Sequence, residues 1–198
     1  MEQTVDEFFH DFRQELLAGA EANESFQLFQ FVEAVAGELT DTGFVEGYEI
    51  CHYRAQRGMR VDGYWFDDEG NLDLFIADYE SQTELLSLTK TNVDVIFKRV
   101  RNFFEAAKLK NLYLDLEDTA PEYGLARQIV DRAGSIRKVN FYLLSERALS
   151  GGLQALDDDN VAGTQASFHI WDISRLHRQK SSRGHKEALD IEFIEEFG

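Results

Sequence analysis

The sequence contains one cysteine, one proline and no long apolar run. A lone Cys51 cannot close an internal disulfide, so nothing in the chain asks for an oxidising compartment. One proline in 198 residues, with no tract rich in Gly and Ser, argues against a flexible linker. No stretch approaches the ~18 apolar residues of a membrane span. The opening MEQTVDEFFHDF is acidic where a secretory leader would be basic. These absences lead to the expectation of a soluble, cytoplasmic protein with no membrane partner.

Positive charge is also scarce. Lys and Arg number 20 against 37 Asp and Glu, a formal net charge of −17. Proteins that grip nucleic acid draw most of their affinity from cations that displace counterions from phosphates, and a strongly negative field repels the same polymer. A nucleic-acid function would need a local basic patch or a part outside this chain. The chain also has no Gly-rich phosphate loop, serine elbow, CxxC or HExxH, so kinase-like, hydrolase, redox and zinc chemistry lack support.

What is present is a chain 43% apolar with 16 Phe, enough for a sizeable core. TVDEFFHDFRQELLAGA and ESFQLFQFVEAVAGELTDTG show helical apolar spacing, with Gly43 just past the second. The period then shortens. GYEICHYRA, MRVDGYWF and NLDLFIADY read as three consecutive strands, with DDEG as a turn in which Gly70 supplies positive φ. TNVDVIFKRVRNFFEAAK is the clearest amphipathic helix. NLYLDLE reads as a strand, and TAPEYGLARQIVDRAG as a helix with Pro121 in its first turn. KVNFYLLS and ASFHIWDI read as strands, the latter leading into a basic helix, SRLHRQK; SGGLQALDDDNVAGT is expected to be irregular, and ALDIEFIEEF a last strand. The expected fold class is α/β, a mixed sheet with an antiparallel three-strand meander flanked by helices. An N-terminal helical segment, residues 1–42, would pack on an α/β domain of residues 43–198.

The candidate chemistry lies on the meander. Asp62 sits near the start of one strand and Asp78 near the end of the next. Asp62, with Asp73 or Asp78 on the next strand and Glu33 or Glu38 from the preceding helix, could converge on one hard cation such as Mg²⁺, which would activate water and stabilise charge on a phosphate. Asp73 and Asp78 differ in strand parity and should point to opposite faces, with Asp73 solvated and Asp78 ending its strand. The competing reading is an ordinary acidic hairpin. Strand residues His52 and His169 suit core or edge roles, and Lys98, Arg99, Arg101 and the SRLHRQKSSRGHK segment read as solvated cations among acids.

The order helix, three-strand meander with an acid in the second strand, helix and strand resembles the restriction-endonuclease-like, or PD-(D/E)xK, fold. RVDGYWFDDEGNLDLFIADY, KVNFYLLSE, FHIWDISRL and ALDIEFIEEFG together resemble the N-terminal region of AIPR-family abortive-infection phage-resistance proteins over roughly residues 45 to 198. The resemblance implies a bacterial defence protein, with this chain a fragment that precedes a larger domain. On the nuclease pattern Asp62 matches the first acid, and Asp78 or Glu80 the second. No lysine follows either, which removes a group that would orient the attacking water and stabilise the transition state. Lys90 and Lys98 on the next helix are the available substitutes.

Two functions follow from the resemblance. One is a non-catalytic or weakened interaction or sensing module of a phage-resistance protein. The other is an active Mg²⁺-dependent nuclease cleaving DNA or RNA, with Asp62, Asp78 and Glu33 or Glu38 as metal ligands and Asp62, Asp78 and Glu38 as its catalytic set. The implied partners are the C-terminal remainder of the same protein, a second copy in a homodimer, and a nucleic acid or phage component. A plain acidic dimerisation domain is a third alternative.

Overall fold

A computed structural model describes residues 3–23, 26–55, 58–151 and 156–183. Two helices come first, α1 (Val5–Ala22) and α2 (Gln27–Asp41). Thr4 and Glu7 close a capping box on α1, each side chain bonding the other's backbone N–H. The meander follows as β1 (Glu49–Ala55), β2 (Met59–Phe66) and β3 (Asn71–Asp78), each antiparallel to the next. Gly70 in the β2–β3 turn has φ +87°, as expected, and an added Cβ would come within 2.9 Å of the Ser135 carbonyl oxygen. Asp67 fixes the same turn by accepting from the Asn71 backbone and side-chain amides, both at 2.7 Å.

After the two-residue strand β4 (Ser87–Leu88), α3 (Lys90–Lys110) runs under the sheet. Thr89 caps its start, and Asn111 ends it in the left-handed conformation. Its stripe of Val93, Ile96, Phe97, Val100, Phe103, Phe104 and Ala107 is buried. Each full burial of a Phe, Val or Ile contributes about 2 kcal/mol. The segment NLYLDLE is not a strand: Leu112–Asp115 form a 3-10 turn with Leu112 buried and Leu114 71% exposed. Its alternating Leu residues mimic a strand, but the turn is wedged between α3 and α4 (Pro121–Asp131) and pairs with no strand among the described residues. Pro121 does occupy the first turn of α4.

The chain returns to the sheet as β5 (Lys138–Ser145), parallel to β3, then makes the short β6 (Ala148–Leu149) beside β4. Strand β7 (Asp159–Val161) hairpins into β8 (Thr164–Trp171), which lies parallel to β5. Thus part of the stretch expected to be irregular forms an edge strand. Residues 173–183 are helical and form α5. The expected final strand, ALDIEFIEEF, lies outside the described residues.

The main sheet has six strands in the order β1-β2-β3-β5-β8-β7. This is the mixed α/β sheet with an antiparallel meander that the pattern implied. Strand alternation sends Leu72, Leu74 and Ile76 into a core against α3 and α4. Phe75, Ala77 and Tyr79 enter a second core against α1, α2 and α5, with Phe8, Phe12, Phe31 and Trp171. Helices therefore cover both faces. Among the described residues no helix is long and apolar enough to cross a membrane.

Candidate functional site

Asp62 is 1% exposed, and its carboxylate is fully engaged. Oδ2 accepts from Arg60 Nε at 2.8 Å and from the Ala77 backbone N–H at 2.8 Å. Oδ1 accepts from His52 Nδ1 at 2.5 Å. The arrangement has a local cause. Pairing of β2 with β3 runs from Phe66 and Leu72 to Gly63 and Phe75, and the β1–β2 register shifts between Ile50 and Tyr53, beside His52. Asp62 fills the resulting gap, so a side chain takes the place of a ladder carbonyl for Ala77.

Asp78 ends β3 and meets β5 and the residue pair beyond it. Arg147 holds it bidentately, Nε to Oδ2 at 2.7 Å and Nη2 to Oδ1 at 2.5 Å, and Ser145 Oγ donates to Oδ2 at 2.7 Å. That attraction keeps the Arg147 guanidinium above its ordinary pKa. Asp62 thus bonds the residue just before Asp78 on β3, yet each carboxylate turns to its own cation.

The helix acids sit elsewhere. Glu38 of α2 has a side chain only 10% exposed, with Arg183 Nη1 of α5 4.0 Å from Oε2 and no hydrogen bond to its buried Oε1 among the described residues. Glu33 is exposed and accepts from Gln30 Nε2 at 3.4 Å. Glu80 is exposed, with Oε2 accepting from Gln82 at 3.2 Å. Lys90 pairs with Asp94 at 2.7 Å, one turn along α3. Among the described residues no group of three or more His, Cys, Asp or Glu side chains converges as metal ligands would.

Three further acids are buried, and the pattern had not singled out two of them, Glu146 and Asp172. Asp73, expected to be solvated, is 9% exposed and accepts from Asn140 Nδ2 at 2.7 Å. Burial pushes its carboxyl up to about 6, against the lowering effect of Asn140. Glu146 Oε1 accepts from the Glu80 and Gln82 backbone N–H groups at 2.7 and 3.4 Å, which holds the loop where Ser81 adopts φ +56°. Asp172 caps α5 through the Arg175 N–H at 3.1 Å and ties down β6 through the Leu149 N–H at 2.8 Å. The only signal for these lies in position: Glu146 ends KVNFYLLSE, and Asp172 stands just ahead of a helix in WDISRL. Two cations of the basic segment are likewise spent on the fold, Arg175 3.8 Å over the Trp171 ring and Lys180 5.2 Å over Phe12.

Fold and site together define an α/β domain whose buried carboxylates are occupied by backbone amides, the Asn140 side-chain amide and cations. The family model described as the abortive infection phage resistance protein N-terminal domain matches residues 31–178. The chain belongs to that family, and its role lies in abortive-infection phage resistance. No curated protein and no solved structure matches it.

Proposed function

We propose that this chain is a restriction-endonuclease-like module of a longer phage-resistance protein, and that it acts in interaction or sensing rather than strand cleavage. One observation carries this reading: the two acids expected to hold a metal already have charge partners, Arg60 for Asp62 and Arg147 for Asp78. A cation entering between them would have to displace a guanidinium and leave it unpaired in a buried setting, at a cost of about 3 kcal/mol or more. The missing lysine after Asp78 and the net charge of −17 point the same way. The antiparallel meander with an acid in its second strand, followed by the helix α3, supports the nuclease-like reading, and the remainder of the same protein is the partner such a module would serve.

Calorimetric titration of Mg²⁺ and Mn²⁺ into the chain, with Asp62→Asn as control, tests the reading. No binding, together with no cleavage of DNA or RNA by the full-length protein, is the expected result. Tight binding that Asp62→Asn abolishes, accompanied by cleavage, would establish the Mg²⁺-dependent nuclease instead.

A further inference from the structure

Three arginines meet where β1 turns into β2. Arg54, Arg60 and Arg99 line a cleft of about 390 Å³ whose remaining walls are Ala55, Gly58 and Met59. Among the described residues no acidic side chain lines it. In a chain with 37 acids and 20 Lys and Arg, three arginines on one cleft, only Arg60 of them paired with an acid among the described residues, is an unexpected concentration of cations.

The three differ in role. Arg60 is 8% exposed, and its Nε is anchored on Asp62 Oδ2 at 2.8 Å. No other hydrogen bond engages its guanidinium among the described residues, so both Nη groups remain available on the side that lines the cleft. Arg54 of β1 and Arg99 of α3 have no hydrogen-bond or ion-pair partner among the described residues. Asn102 of α3 donates to the Gly58 carbonyl at 3.2 Å and holds Gly58, just before β2, against the helix that carries Arg99. One arginine is therefore held rigidly at the back while two flank the mouth.

Guanidinium forks match the paired oxygens of phosphate, and charge-assisted bonds of this kind are the strong ones. From the convergence of Arg54, Arg60 and Arg99 on an acid-free cleft, we infer that it is a binding site for a small phosphate-bearing ligand of the diphosphate class. Size and charge both select that class. A cleft at the lower end of ligand-pocket volumes takes a compact ligand. A small dianion responds to charges within about a Debye length, roughly 8 Å, whereas a long polyanion meets the whole acidic surface. Among the described residues no aromatic side chain lines the cleft to stack a base, so recognition centres on phosphate. The inference goes beyond the interaction-module reading and stands whether or not the domain cleaves nucleic acid. It also gives Asp62 a purpose that needs no metal, that of orienting Arg60.

The test is calorimetric titration of inorganic phosphate and pyrophosphate into the chain, in the presence of a chelator to exclude divalent cations. Pyrophosphate should bind more tightly than phosphate. The Arg54→Gln/Arg99→Gln double variant, altered only at the mouth, should weaken it at least about 10-fold, equivalent to 1.4 kcal/mol, with unchanged thermal melting. Arg60→Lys should weaken it as well, since a point charge replaces the fork. Absence of pyrophosphate binding at millimolar concentration would overturn the inference, as would binding that the double variant leaves intact. A single-stranded oligonucleotide that binds through these arginines while pyrophosphate does not would overturn the small-ligand assignment.

Discussion

Asp78 and Arg147 face each other across the β3–β5 edge in two parallel hydrogen bonds of 2.7 and 2.5 Å. Their side chains are 10% and 20% exposed, so the pair lies largely outside solvent screening. Replacing Arg147 by Ala leaves a desolvated carboxylate with only Ser145 as donor. The expected cost is about 2–4 kcal/mol, read as a lowered urea midpoint with an unchanged slope. An unaltered midpoint would mean that Asp78 is less buried than its surroundings require.

Asp62→Ala should behave as a stability variant. It strips partners from Arg60, His52 and the Ala77 N–H together. A loss of about 3 kcal/mol or more is expected. Asp62→Asn, which keeps an acceptor oxygen but loses the charge, should fall between it and the native protein. Added Mg²⁺ should not raise the melting temperature of the native chain, since a ligand stabilises only what it binds.

Asp73 makes a pH-dependent contribution with a defined sign. Its folded pKa of about 6 lies above the ordinary value of 3.8, so the folded state holds this proton more tightly than the unfolded state. Stability from this residue is present in full below about pH 4 and declines as pH rises through 6. Asp73→Asn keeps the contact with Asn140 and removes the titration. It should stabilise the protein at pH 8 by on the order of 2–3 kcal/mol and flatten the stability profile between pH 4 and 6. A profile identical to the native one would refute the assignment.

Cys51 should be silent in the folded protein. It is 1% exposed, and burial pushes its thiol up to about 12. The thiolate, which is the nucleophile, is then almost absent at neutral pH. Reaction with a chromogenic disulfide reagent should therefore track unfolding in denaturant, and rapid stoichiometric labelling of native protein would contradict the burial.

The fold was legible where one physical signal dominated. The apolar stripe of α3, Pro121 at the start of α4 and the positive φ of Gly70 each impose a local constraint that survives tertiary context. NLYLDLE misled because alternation records burial on one side, and a 3-10 turn that buries Leu112 gives the same trace as a strand. The short strands β4, β6 and β7 are two or three residues long and carry no period to read. The candidate site was harder. Sequence spacing brought Asp62 and Asp78 to adjoining strands, and the cation of Asp62 lies only two residues away at Arg60, but that of Asp78 lies far along the chain. Arg147 is 69 residues from Asp78, and no local pattern announces it. Asp73 was expected in water because it is an acid; its register with Asn140 on β5 buries it instead.

The two cores on opposite faces of the sheet bear on where this domain begins. The family match starts at residue 31, inside α2, whereas Phe8, Phe9, Phe12 and Leu16 of α1 line the second core beside Phe75 and Trp171. At its other boundary, residue 178, the match leaves out Lys180 over Phe12 and Arg183 near Asp41. The stretch defined by family likeness is thus shorter than the stretch needed to keep this sheet dry. Here the smallest cooperative unit is set by which aromatic rings must be covered.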